Sequence, residues 1–162
     1  MKVLFLCDAN ICRSPLAEVV LRKKLIERGL ADVEVESAGI HNMDGMPRDH
    51  TMISFAHNAG YDMGGTSKYL TQEVIDSTDL IVCMTFHQVV EIQRMFVPYI
   101  RWGCIHRFNE ICFDEKTDLI DPFGDSSYIY SEILKHIVRG CETLAWKIER
   151  KIRHGENLFE RK

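Results

Sequence analysis

A cysteine and an arginine separated by five residues, with a serine and a proline directly behind the arginine, make Cys7-Asp8-Ala9-Asn10-Ile11-Cys12-Arg13-Ser14-Pro15 the most chemically pointed stretch of this chain. Arg13 offers two parallel N–H donors to two oxygens of a tetrahedral oxyanion, a geometry that lysine cannot reproduce. The run Lys2-Val3-Leu4-Phe5-Leu6 before the loop is short, apolar and β-prone, and Pro15 suits the first turn of a helix. Between a strand end and a helix start, successive backbone N–H groups form a concave nest at the positive end of the helix dipole. That nest fits a phosphate, and its positive field favours the thiolate of Cys7, the form that attacks phosphorus. Cys7 is therefore the candidate nucleophile and Arg13 the catalytic phosphate clamp. The candidate phosphate-binding residues are Asp8, Ala9, Asn10, Ile11, Cys12, Arg13 and Ser14. Ser14 can donate its hydroxyl to the sulfur, and the Asn10 amide can brace the loop from inside. A solitary strand-end cysteine is usually a small buried hydrophobe; the company of Arg13-Ser14-Pro15 moves Cys7 to chemistry.

The elements that must position this loop follow from periodicity. After the first strand, helical spacing runs from Pro15 to about Gly29. Val33 to Glu36 alternates as a second strand, Asp79-Leu80-Ile81-Val82-Cys83 reads as a buried third, and Trp102 to His106 as a weaker fourth. Helical patterns cover Met52–Asn58, Thr71–Ser77, Thr85–Phe96 and a long amphipathic stretch from about Ser126 to Ile152. Segments 41–48 and 62–67 read as loops. Strands alternating with helices predict one α/β domain, a four-stranded parallel sheet flanked by helices on both faces. The phosphate-binding loop then leaves the carboxyl edge of the sheet, where ligands of such folds bind. The domain is expected over residues 1–153, with a frayed polar tail at 154–162.

Composition narrows the partners. With 162 residues, 46% of them hydrophobic, the chain is long enough for one core. Its 20 basic and 24 acidic side chains give a net charge of −4, so nucleic acid is not expected as a partner. Charged residues break every apolar run well short of the ~18 that a membrane-spanning helix needs, so no membrane association is expected. Six scattered cysteines and the absence of a leader pattern indicate a reducing, cytoplasmic setting. Cys83, Cys104, Cys112 and Cys141 read as structural. The histidines show no metal-ligand spacing: His50 and His57 suit an exposed helical face, and His136 and His154 suit solvated surface, so no metal is expected.

The loop motif, continued by Ala17 and Glu18, resembles the low-molecular-weight protein tyrosine phosphatase family. Asp121-Pro122-Phe123-Gly124, by itself only a turn signal, resembles that family's Asp-Pro-aromatic loop. Ser37-Ala38-Gly39, Leu70-Thr71 and Asp79-Leu80-Ile81 leading into Cys83-Met84 extend the resemblance over roughly residues 1–150. It implies an α/β phosphatase without metal or organic cofactor, acting on phosphorylated proteins or peptides as a monomer or weak dimer. Asp121 would be the proton donor, and Cys12 would be able to form a reversible disulfide with Cys7. Met43 and His41 fall where the family places a wall beside the substrate.

Several positions depart from the pattern. Ala9 replaces a usual glycine, which requires that position 9 avoid positive φ. The Gly65-Thr66 region and Thr85 stand where many members carry a His and an Asp that brace the loop serine. Met84-Thr85 and Asp-Pro-Phe-Gly are shared with a bacterial subgroup that includes protein arginine phosphatases, in which Thr precedes the second loop cysteine. Here Ile11 occupies that place and offers an apolar wall to an aromatic ring, which favours phosphotyrosine. Asp8 reads first as a solvated acid at the loop mouth, and second as a preference for substrates with nearby cations. Tyr128 and Tyr130 suit packing or capping of the long helix better than regulatory phosphorylation. A thioredoxin-coupled arsenate reductase would use the same loop, with Cys83 as a resolving thiol, but residues 84–101 lack the further cysteine such a relay needs.

Overall fold

The computed structural model describes residues 1–96, 102–157 and 159. Among these residues four strands, β1 (Lys2–Cys7), β2 (Glu34–Gly39), β3 (Leu80–Cys83) and β4 (Ile105–Arg107), are interspersed with six helices. The helices are α1 (Arg13–Glu27), α2 (His50–Asn58), α3 (Gln72–Asp76), α4 (Phe86–Met95), α5 (Phe108–Phe113) and α6 (Ser127–His154). All strand pairs are parallel, in the order β2-β1-β3-β4. The expected four-stranded α/β sheet is the observed one.

Strand β1 lies centrally because its side chains serve both faces. Val3, Phe5 and Cys7 point into the core beneath α1, α2, α5 and α6, whereas Leu4 and Leu6 join Ile75, Val89 and Ile92 on the other side. Each such side chain, fully buried, contributes roughly 1.5–3 kcal/mol. Register pairs Cys7 with Gly39 and Leu6 with Cys83, so the ends of three strands converge on the segment that follows Cys7.

α6 starts on a Ser126 cap and ends at Gly155 in the left-handed region. Its packing on α5 depends on Gly140, where a Cβ would meet the Phe108 ring at 2.5 Å. Lys24 of α1 and Arg28 at its C-cap pair with Glu142 of α6, and Arg28 also reaches Glu149.

Several expectations are corrected. The start of the weak fourth strand is a 3₁₀ turn, Trp102–Cys104, and only residues 105–107 are extended. Helix α5 was not anticipated, because six residues are too few for a helical period to show. His136 is only partly solvated: its Nε2 lies 2.7 Å from Asn109 Oδ1, and its ring packs 4.7 Å from that of Phe113. Burial holds its pKa below the ordinary value. Within the expected polar tail, Phe159 is buried in the core and Glu156 pairs with Arg150. Residues 158 and 160–162 of the expected tail lie outside the described residues. No helix among the described residues is long and apolar enough to cross a membrane.

Candidate active site

The strand-to-helix segment after Cys7 is held from three sides. Ile40 N and His41 N, just past β2, donate to Cys7 O and Asp8 O, and Asp49 N donates to Ile11 O. The approach is so close that a Cβ at Gly39 would lie 3.0 Å from Ala9 C and Asp8 O. Ala9 is not among the positive-φ residues, so the missing glycine costs nothing there; Asn10, at φ 54°, takes the left-handed position.

Asn10 stays in that conformation because its side chain is saturated. Lys68 N donates to Asn10 Oδ1 at 2.9 Å, which fixes the orientation of the amide. Both Nδ2 donors are then directed inward, to Ser14 Oγ at 2.9 Å and Ser37 Oγ at 2.8 Å. Ser37 donates onward to Glu18, which pairs with Arg22. A carboxylate can only accept, so polarity along this chain is set from Glu18 inward. Ser14 Oγ accepts from Asn10 and sits 2.9 Å from Cys7 Sγ, leaving its own proton for the sulfur. Cys7, Asn10 and Ser14 are all buried.

Cys12 occupies the N-cap of α1 without a side-chain cap, so the first amides of the helix remain available to an anion. Its thiol is buried and pushed far up, first by desolvation and then by Asp49 and Asp121. Burial likewise raises the thiols of Cys83, Cys112 and Cys141, in keeping with structural roles. None of the six cysteines is joined in a disulfide among the described residues.

Arg13, 3% exposed, is the hinge between the loop and the chain 106 residues on. Its Nη1 donates to Leu119 O at 2.9 Å, and its Nη2 pairs with Asp121 Oδ2 at 3.0 Å and Asp8 Oδ2 at 3.3 Å. Leu119 N donates to Met84 O, tying this segment to the end of β3. Asp121 Oδ1 accepts from Phe123 N, an Asx turn that Pro122 stabilises. Asp121 is 48% exposed, and Ile120 and Phe123 beside it are largely in solvent. The structure thus brings Cys7, Arg13, Ser14 and Asp121 together.

Other placements refine the expectations. Asp8 is not a free solvated acid: besides Arg13 it accepts from Gln88 Nε2 at 3.0 Å. The departures near Gly65-Thr66 and Thr85 are filled by other means. Ser67 Oγ donates to Ala9 O at 2.6 Å, and Thr85 caps α4 in a capping box with Gln88. Ser37, Ser67, Glu18 and Gln88 were not singled out as site residues. Ser37 and Glu18 stood in matching motifs, whereas nothing in sequence spacing marked Ser67 or Gln88. His41 lies at the mouth within 3.7 Å of Glu91. Tyr130 is buried, stacks on Phe55 and donates to Asp49 Oδ2; its phenol pKa is pushed up to about 12, chiefly by burial. Tyr128 is 70% exposed. A cavity of about 650 Å³ lies at the opposite, amino edge of the sheet, among Met1, Asp79, Gly103 and Phe159.

A parallel sheet with a Cys-x5-Arg loop at its carboxyl edge is the architecture of the small cysteine-dependent phosphatases. The chain belongs to the low molecular weight phosphotyrosine protein phosphatase family, whose model matches residues 2–154. A probable low molecular weight protein-tyrosine-phosphatase of Ralstonia nicotianae, EpsP, is 32% identical over 145 residues, covering 89% of this chain and 92% of that one. The protein-arginine-phosphatase of Bacillus subtilis is 29% identical over 151 residues, covering 93% and 98%. Among solved structures, a mutant of the YwlE arginine phosphatase with a phosphorylated active-site serine superposes with a TM-score of 0.88 at 26% identity, covering 94% of this chain and 99% of that one.

Proposed function

We propose that this protein hydrolyses phosphotyrosine in phosphorylated proteins or peptides through a cysteinyl-phosphate intermediate. The observation that carries the reading is the Cys7 sulfur 2.9 Å from a serine hydroxyl whose proton is directed toward it, in a loop closed by Arg13. In the first half-reaction Cys7 Sγ forms a bond to phosphorus, the ester P–O bond breaks, and Asp121 gives its proton to the leaving oxygen. In the second, Asp121 takes a proton from water, the water oxygen bonds to phosphorus, and the S–P bond breaks. Ser14 stabilises the departing thiolate, while Arg13 and the loop amides of residues 8–14 hold the equatorial oxygens. These charges serve without a metal, and the reading assigns the protein no cofactor. The phosphorylated serine in the YwlE mutant supports covalent transfer on this architecture.

Ile11, packed against the core and half-buried at the loop mouth, favours a flat aromatic ring over a phosphoguanidinium. The likeness to the Bacillus subtilis protein-arginine-phosphatase keeps phosphoarginine as the second reading. A cytoplasmic location and a monomer or weak dimer complete the proposal. Its test compares matched phosphotyrosine and phosphoarginine peptides on the wild type and on Ile11→Thr. Phosphotyrosine should be preferred by the wild type, and the substitution should narrow that preference; a wild-type preference for phosphoarginine would overturn the reading.

A further inference from the structure

Gln88 is a fully buried amide with its orientation forced. Met84 N and Thr85 N both donate to Gln88 Oε1, at 2.8 and 3.1 Å, so the carbonyl must face them and Nε2 must face the other way. What it meets there is Asp8 Oδ1 at 3.0 Å. The second oxygen of Asp8 is thereby aimed at the Arg13 guanidinium, 3.3 Å away. Asp8 remains 41% exposed at the loop mouth, beside Asp121.

A fixed negative charge here opposes the entry of a phosphate dianion and competes for the arginine that must hold it. A site built only to bind phosphate gains nothing from it. The charge becomes favourable when the substrate brings a compensating cation, because Asp8 can then leave Arg13 to the phosphate and pair with the incoming group.

We infer that Asp8, positioned by Gln88, is a specificity-determining residue that selects substrates carrying a cationic group next to the phosphate. This deepens the phosphatase reading and rests on it. The cation has two possible sources: the phosphorylated side chain itself, as in phosphoarginine, or a lysine or arginine flanking a phosphotyrosine. Gln88 does not touch substrate; it acts by holding the Asp8 carboxylate in place.

The test measures kcat and KM for four substrates: a small aryl phosphate, a phosphotyrosine peptide with neutral flanks, the same peptide with flanking lysines, and a phosphoarginine peptide with neutral flanks. Asp8→Asn preserves an acceptor for Gln88 and removes the charge. It should lower KM for the aryl phosphate and the neutral peptide, and raise it for a cationic substrate. The resulting change in cationic-to-neutral selectivity should be about tenfold, equivalent to about 1.4 kcal/mol. Loss confined to the phosphoarginine peptide assigns the cation to the phosphorylated side chain, and loss confined to the lysine-flanked peptide assigns it to a neighbour. Gln88→Met, close in volume but without the hydrogen bonds, should shift selectivity in the same direction by less, with kcat for the aryl phosphate nearly unchanged. Equal fold-changes on all four substrates in Asp8→Asn, or selectivity that does not move, overturn the inference while leaving the phosphatase chemistry standing. Absence of wild-type turnover on every substrate would instead remove the phosphatase reading itself.

Discussion

The loop proposed to bind phosphate, residues 7–14, is fastened by side-chain hydrogen bonds from Cys7, Asp8, Asn10, Arg13 and Ser14, whereas the loop of the proposed acid, residues 119–125, hangs from Leu119 and turns on Pro122. In the first, Asn10 alone makes three side-chain hydrogen bonds, and Cys7, Asn10, Cys12, Arg13 and Ser14 are buried. In the second, Asp121 is half in solvent and its neighbours Ile120 and Phe123 are largely exposed. The division suits the roles proposed for the two loops. Stabilising charge on an equatorial phosphate requires donors already in place, since reorganisation would consume the gain. A proton donor must instead adapt to leaving groups that differ between substrates and exchange its proton with water. Rigidity on one side and access on the other are therefore complementary, and substitutions should separate them.

The sharpest separation comes from Cys7→Ser. Turnover should fall by about a thousandfold or more, since the alkoxide alternative is a far poorer nucleophile at neutral pH, while inorganic phosphate still binds in the intact cradle. Next, Asp121→Asn should slow hydrolysis of aryl phosphates by about 10²–10⁴-fold, the usual weight of a general acid, with melting temperature nearly unchanged. Asn10→Ala acts on the other half: it strands Lys68 N, Ser14 and Ser37 at once and should cost about 3 kcal/mol in denaturant unfolding, with activity lost as well. Phe123→Ala, at a largely exposed position, should alter stability by less than about 0.5 kcal/mol and show itself only as a changed KM for bulky substrates. A melting temperature that falls as far in Asp121→Asn as in Asn10→Ala would erase the contrast between the loops.

A smaller effect is expected at the root of the acid loop. Asn109 links His136 to Thr117, two residues before Leu119. Burial depresses the folded-state pKa of His136 below the ordinary 6.5, so the unfolded chain binds the proton more readily. The neutral form's contribution is complete above the unfolded value and is lost as pH falls from about 6.5 through the depressed one. Denaturation measured between pH 7.5 and 5 should show this loss, and His136→Gln, which retains a donor toward Asn109, should flatten it.

Much of this was legible in the sequence. The β1 run, Cys-x5-Arg and Pro15 named the phosphate loop because each acts locally: a buried strand, a nest of amides and a helix start lie within fifteen residues. The place of Asp121 beside the loop was suggested only by resemblance, since an Asp-Pro turn carries no sign of the arginine it will meet 108 positions away. The partners of Asp8 were hidden for the same reason. One of them, Gln88, is 80 positions distant, and it comes near because β3, which leads into α4, pairs with β1. Ser67 and Asn109 were invisible because their role is to donate to, or accept from, groups brought near by the packed sheet. His136 looked like surface because α5, which covers it, is too short to announce itself.

The most direct measurement is rapid-quench trapping of the intermediate with a phosphotyrosine peptide, using wild type, Asp121→Asn and Cys7→Ser, followed by peptide mass spectrometry. The account predicts one phosphoryl group on Cys7 in wild type and Asp121→Asn, with no thiol-linked phosphoryl in Cys7→Ser. Phosphoryl transfer to any other residue in the wild type, or steady turnover by Cys7→Ser, would contradict it.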